Sequence, residues 1–137
     1  MTSGGSVNRI PSPRGLCQAE PVTTVLIVDD HADFRATAHT LLEVEGYDVV
    51  GEAENGVQAL RRARELRPDV VLLDVHLPDF DGFEVAARLA ALDERPRVVL
   101  TSSRDGSDFG RLIADSGAHG FVPKSELSGE TLAAALG

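Results

Sequence analysis

The chain has 137 residues, 42% of them hydrophobic and 26% charged, which suits one domain able to bury a core without disulfide or metal staples. Thirteen basic against twenty-two acidic residues leave a net charge of −9, which argues against non-specific nucleic-acid binding or an anionic membrane as partner. One cysteine, Cys17, excludes an internal disulfide and a cysteine-rich zinc site, and suits a reducing compartment such as the cytoplasm. No run of eighteen apolar residues exists, so no membrane span is expected.

Residues 1–22 hold Gly4, Gly5, Gly15, Pro11, Pro13 and Pro21 with few sizeable aliphatics. Such a stretch buries too little surface to offset its ordering entropy, so a flexible N-terminal tail is expected there and a domain over 23–137. That domain carries eleven basic and twenty-one acidic residues. Thr24–Val28 is a continuous apolar run, as in a strand covered on both faces. Residues 32–45 follow as a helix, with Phe34, Ala38, Leu41 and Leu42 on one stripe and Gly46 as its stop. Asp48–Ala53 is a second strand, and 56–66 a helix with Leu60, Ala63 and Leu66 inward. Asp69–Asp74 is a third buried strand, and 81–92 a helix with Phe83, Ala86, Ala87 and Ala90 on one face. Arg97–Thr101 is a fourth strand, and 105–116 a weaker helix with Phe109, Leu112 and Ile113, ended by Gly117. Ala118–Val122 is a fifth strand, and 128–136 a short helix with Ser128 as its cap.

Five strands alternating with five helices predict an α/β domain with a parallel sheet and helices on both faces. In such sheets, sites lie beyond the carboxyl ends of the strands, at the switch in strand order. Those ends carry Asp29 and Asp30, then Asp74, then Thr101, then Lys124. The glycine-rich phosphate loops are absent after the first strand. Like charges about 4 Å apart repel by roughly 4 kcal/mol at an effective dielectric of about 20, so three converging carboxylates call for a compensating cation. Clustered oxygens suit Mg²⁺, which takes one or two carboxylates and keeps positions for phosphate oxygens. Taken singly, each acid has a plainer role, and Asp30 is placed to cap the first helix. Repulsion of this kind predicts that Asp29→Ala without Mg²⁺ leaves stability unchanged or raises it by about 1–2 kcal/mol.

The chain has twelve arginines and a single lysine, so Lys124 on the acidic side of the sheet points to a need for a compact point charge. Thr101 offers a hydroxyl at the end of an apolar strand, and Phe121 lies three residues before Lys124. His31 and His76 lie near the acids without the helical spacing of a zinc or iron site. Phe80 is a loop aromatic expected to be exposed, and His39 and His119 are expected at the surface or an edge.

Four stretches carry a resemblance: Val25-Leu26-Ile27-Val28-Asp29-Asp30-His31, Asp74-Val75-His76-Leu77-Pro78-Asp79-Phe80-Asp81-Gly82, Val98-Val99-Leu100-Thr101-Ser102 and Gly120-Phe121-Val122-Pro123-Lys124. In this order they resemble the receiver domain of bacterial two-component response regulators, over about 24–136. The resemblance implies a flavodoxin-like (βα)5 doubly wound sheet of order 2-1-3-4-5. It implies that Asp74 is phosphorylated from the phosphohistidine of a sensor histidine kinase or phosphotransfer protein. Asp30, Asp74 and the backbone carbonyl of His76 would hold Mg²⁺ directly, with Asp29 acting largely through water. Thr101 and Lys124 would each take a phosphoryl oxygen, and Phe121 would turn as Thr101 moves. The altered surface of the fourth helix, fifth strand and fifth helix would control a downstream protein, and it also admits a homodimer. The domain would catalyse only its own phosphorylation and dephosphorylation. An aspartyl-phosphate hydrolase of the haloacid-dehalogenase type would need an acid where His76 stands, and a phosphorylation-independent pseudo-receiver would need none of these residues. Ser125 stands where many members have proline, and a cis peptide there would cost about 3–4 kcal/mol without one. No output domain follows the last helix, so a stand-alone receiver and a fragment of a longer regulator are both expected readings.

Overall fold

The computed structural model describes residues 22–103 and 110–136. Its elements run β1 (Thr24–Val28), α1 (Ala32–Val44), β2 (Asp48–Ala53), α2 (Gly56–Leu66), β3 (Val70–Asp74), α3 (Gly82–Ala90), β4 (Arg97–Ser102), α4 (Gly110–Ser116), β5 (Gly120–Pro123) and α5 (Gly129–Leu136), with a 3₁₀ turn at Lys124–Glu126. All strands are parallel in one sheet of order β2-β1-β3-β4-β5. The tail and the region around Phe109 lie outside the described residues.

Successive strand residues face opposite sides, and both sides are covered. Val25, Ile27, Val70, Leu72 and Val99 pack with Ala38 and Leu42 of α1 and Leu132 of α5. Leu26, Val28, Val71, Leu73 and Leu100 pack on the other side with Ala59 and Ala63 of α2 and Val85, Ala86 and Leu89 of α3. The central strands are therefore apolar at successive positions, as in residues 25–28, 70–73 and 98–100, which is why the sequence shows runs rather than alternation.

The helix ends follow local chemistry. Asn55 accepts from the Gln58 N–H at 2.8 Å, Asp81 from the Glu84 N–H at 2.8 Å, and Ser128 Oγ from the Thr131 N–H at 3.1 Å. Gly46 and Gly117 follow their helices at φ +100° and +84°, the left-handed region that favours glycine.

Some expectations need correction. Asp30 caps nothing: His31 is the N-cap of α1, and its N–H reaches Asp29 Oδ1 at 2.8 Å. Leu66 is exposed, as is Ala87, and the buried stripe of α3 runs through Val85, Ala86 and Leu89. The buried stripe of α3 is displaced by one residue from the expected one, because the rotation of the helix about its axis is set by packing rather than by composition. Phe80 is half-buried against the core, with the Arg88 guanidinium 4.9 Å from its ring centroid. The fifth strand starts at Gly120, where a Cβ would meet Ala135 of α5 at 2.9 Å. No cis peptide occurs among the described residues, and the chain passes from Pro123 into the 3₁₀ turn through trans bonds.

Candidate functional site

The strand order reverses between β1 and β3, so their carboxyl ends lie side by side. Asp29 and Asp30 follow β1, and Asp74 ends β3 in register with Thr101 of β4. Lys124 follows β5 and reaches back across the sheet end. The structure thus brings Asp29, Asp30, Asp74, Thr101 and Lys124 to one rim, as the sequence suggested.

Asp29 is fully buried and Asp74 is 1% exposed. Lys124 Nζ lies 2.6 Å from Asp29 Oδ2 and 3.3 Å from Asp74 Oδ2. Both contacts are ion pairs, and the one to Asp74 is also a hydrogen bond. Burial pushes the Asp74 pKa up; the His76 N–H, donating to Oδ1 at 3.1 Å, and Lys124 oppose this, and Asp29 adds to it. Burial alone would lower that of Lys124, but Asp29 and Asp74 outweigh it and hold the ammonium above the ordinary lysine value. The compensating cation inferred from the sequence is thus partly supplied by the chain itself.

Thr101 is fully buried, and its Oγ1 has no hydrogen-bond partner among the described residues. A buried hydroxyl left unpaired costs about 1–3 kcal/mol. Such a donor beside Asp74 fits an acceptor that arrives with a ligand. Asp29, Asp30, His31 and Asp74 each place one possible ligand atom within 4.8 Å of the others. Carboxylate oxygens in this number fit a divalent cation, Mg²⁺ included. The His76 side chain is exposed and outside that cluster, so its part in the expected set is limited to its backbone carbonyl. Phe121 is half-buried on the face of α2 and α3.

Three residues that the sequence did not single out support the rim. Phe34 sets its ring 4.7 Å from Lys124 Nζ. Arg35 donates from Nη1 to the Asp29 carbonyl at 2.7 Å and from Nε to Glu52 Oε1 at 3.0 Å, tying β1 to β2. Asp79, in the loop after β3, accepts from the N–H groups of Gly56 and Val57 at 2.7 and 3.1 Å. Phe34 carried only a helical-stripe signal, Asp79 appeared only within the stretch 74–82, and Arg35 carried no signal, since its partners lie in other elements.

Comparison with known proteins is consistent with this geometry. The family model described as "Response regulator receiver domain" matches residues 25–136. BvgA of Bordetella pertussis is 44% identical over 111 residues, covering 81% of this chain and 53% of BvgA. The response regulator GacA of Pseudomonas viridiflava is 38% identical over 102 residues, covering 73% of this chain and 47% of GacA. The chain thus spans about half the length of the curated relatives it matches. The signal receiver domain of NarL from Mycobacterium tuberculosis superposes with a TM-score of 0.75 at 34% identity, covering 85% of this chain and 99% of that one.

Proposed function

The chain belongs to the response-regulator receiver domains, and on that premise we propose that it is a phosphoacceptor switch whose acceptor is Asp74. The donor would be the phosphohistidine of a sensor histidine kinase or a phosphotransfer protein. A carboxylate oxygen of Asp74 forms the new O–P bond while the P–N bond breaks, and the electron pair leaves with the imidazole nitrogen. The transition state is loose and in line, so the protein's work is positioning and charge neutralisation. Lys124 pairs with one phosphoryl oxygen and Thr101 Oγ1 donates to another. Asp29, Asp30, Asp74 and the His76 carbonyl would hold Mg²⁺, which when bound neutralises phosphoryl oxygens.

Thr101 moving toward the phosphoryl group frees space beside β4, and Phe121 turns into it. The two packings differ at α4, β5 and α5, and phosphorylation shifts their populations through contacts made in one of them only. That surface would act on a downstream protein or a second copy of the chain. No external substrate is turned over and no nucleic acid is contacted by this chain. A cytoplasmic setting fits a kinase partner, and among the described residues no helix is long and apolar enough to cross a membrane.

The observation that carries this reading is the buried, unpartnered Thr101 hydroxyl in register with an acid that a lysine already touches. Incubation with an acyl-phosphate donor and Mg²⁺, followed by mass spectrometry, is expected to add one phosphoryl group to the native chain and none to Asp74→Asn. Persistent labelling of Asp74→Asn, or none of the native chain, overturns it. Partner capture unchanged by Asp74→Ala would favour the phosphorylation-independent module instead.

A further inference from the structure

We propose that His31 turns the acidic rim into a mixed oxygen–nitrogen site that holds a late first-row divalent ion, Co²⁺, Ni²⁺ or Zn²⁺, through Nδ1. This rests on the metal-binding part of the reading above, namely that Asp29, Asp30 and Asp74 hold a divalent cation.

The spacing of the donors carries the inference. His31 Nδ1 lies 3.0 Å from Asp29 Oδ1 and 3.1 Å from Asp30 Oδ1. In an octahedral site with bonds of about 2.1 Å, adjacent ligand atoms stand about 3.0 Å apart. Both distances match such an edge, and Asp74 supplies a further oxygen within 4.8 Å. The imidazole is 67% exposed, so an ion from solvent reaches it without opening the fold. The Asp29 carboxylate, by contrast, is fully buried and anchored by the His31 N–H at 2.8 Å. Residue 31 thus fixes the acid with its backbone, and its Nδ1, hydrogen-bonded to Asp29 Oδ1 in the resting chain, is the nitrogen that an ion takes over when the proton between them leaves. Beside the cluster, the fully buried Thr101 hydroxyl has no partner of its own, a second sign that this rim is built around a ligand.

The chemistry then sets the ion. Mg²⁺ prefers oxygen donors and retained waters, so an imidazole adds little to its binding. Imidazole nitrogen suits the later metals, whose affinities rise from Mn²⁺ through Co²⁺ and Ni²⁺. No oxygen donor is displaced, so the same rim takes Mg²⁺ through its acids and a later ion through its acids plus His31. The two classes of ion therefore compete.

The test titrates the metal-free full chain with Co²⁺ alone, read by calorimetry and by the visible absorption of the ion, with Mg²⁺ titrated in parallel. The native chain is expected to bind one Co²⁺ that excess Mg²⁺ displaces. Loss of even an outer partner of a metal ligand costs about 10–100-fold, so His31→Ala and His31→Gln are each expected to weaken Co²⁺ by at least about tenfold and to shift its spectrum. Their Mg²⁺ affinity is expected to change little, and His119→Ala, at an exposed histidine outside the cluster, to retain the native Co²⁺ affinity. Metal-free melts show that each variant is folded, and the glutamine variant stands in if alanine unfolds the loop. Equal Co²⁺ affinity and spectrum in the native chain and both His31 variants overturn the inference, as does an equal loss in His119→Ala. If Mg²⁺ also fails to bind the native chain, the metal-site reading falls with it. If Mg²⁺ binds and Co²⁺ ignores His31, only the present inference falls.

Discussion

Lys124 Nζ sits 2.6 Å from Asp29 Oδ2, and this contact reverses the expectation that repulsion among the acids dominates the resting rim. Asp29 also accepts from the His31 N–H, so it is paired on both oxygens. Asp29→Ala removes the close partner of a half-buried ammonium and orphans an N–H. Breaking such a pair destabilises, by about 1–3 kcal/mol for a group still partly reached by solvent. Denaturant melts without divalent ions are expected to show that loss; an unchanged or higher midpoint would restore the repulsion argument.

Asp74 behaves in the opposite sense. Its pKa in the folded chain is raised, chiefly by burial. The folded state therefore holds its proton longer than the unfolded state does. The resulting stability is fully present below the unfolded aspartate value and is lost as pH rises through the folded one. At neutral pH Asp74→Asn removes this penalty. Metal-free thermal melts at pH 7 are expected to place Asp74→Asn above the native chain by an amount on the order of 1 kcal/mol, and the gap is expected to close in acid.

Thr101→Val removes a buried donor that has no partner in the resting fold. Its stability is expected to stay level or rise by about 1 kcal/mol. Phosphoryl uptake from an acyl-phosphate donor is expected to lose its conformational readout, while Thr101→Ser keeps it. Melting curves together with a fluorescence or NMR readout of Phe121 check both halves, and a clear destabilisation would mean the hydroxyl is already satisfied.

Gly82 opens α3 directly beneath the acceptor. A Cβ there would press on the Asp74 carbonyl oxygen and lie 2.6 Å from Val75 Cα, and the Gly82 N–H already bonds the Val75 carbonyl at 2.6 Å. Backbone cannot yield as a flexible side chain does, so Gly82→Ala is expected to cost about 1–3 kcal/mol and to displace Asp74. Loss of both stability and phosphoryl uptake checks it.

Asp79 joins the loop after β3 to the start of α2. Burial would weaken its acidity, but the N–H groups of Gly56, Val57 and Phe80 outweigh it and hold the carboxyl below the ordinary range. Its contribution is therefore present above the unfolded aspartate value and lost as pH falls through the folded one. Asp79→Ala is expected to cost about 1 kcal/mol at pH 7, as for a lost helix cap, with the difference shrinking in acid.

The sequence by itself determined the alternation of strands and helices and the chemical types at the strand ends. Apolar runs such as Val70–Leu73 can be satisfied only between two covering layers, and the identity of Asp29, Asp74, Thr101 and Lys124 is independent of any coordinate. Only the tertiary structure decided what those groups do to one another. The separation of 50 positions between Asp74 and Lys124 carries no local signal of their 3.3 Å approach. The support of Lys124 by Phe34, the clasp of Arg35 on the Asp29 carbonyl and the cap from Asp79 likewise join separate elements. Distances between elements are set by how the helices settle on the sheet, a collective packing outcome that no single stretch of chain encodes.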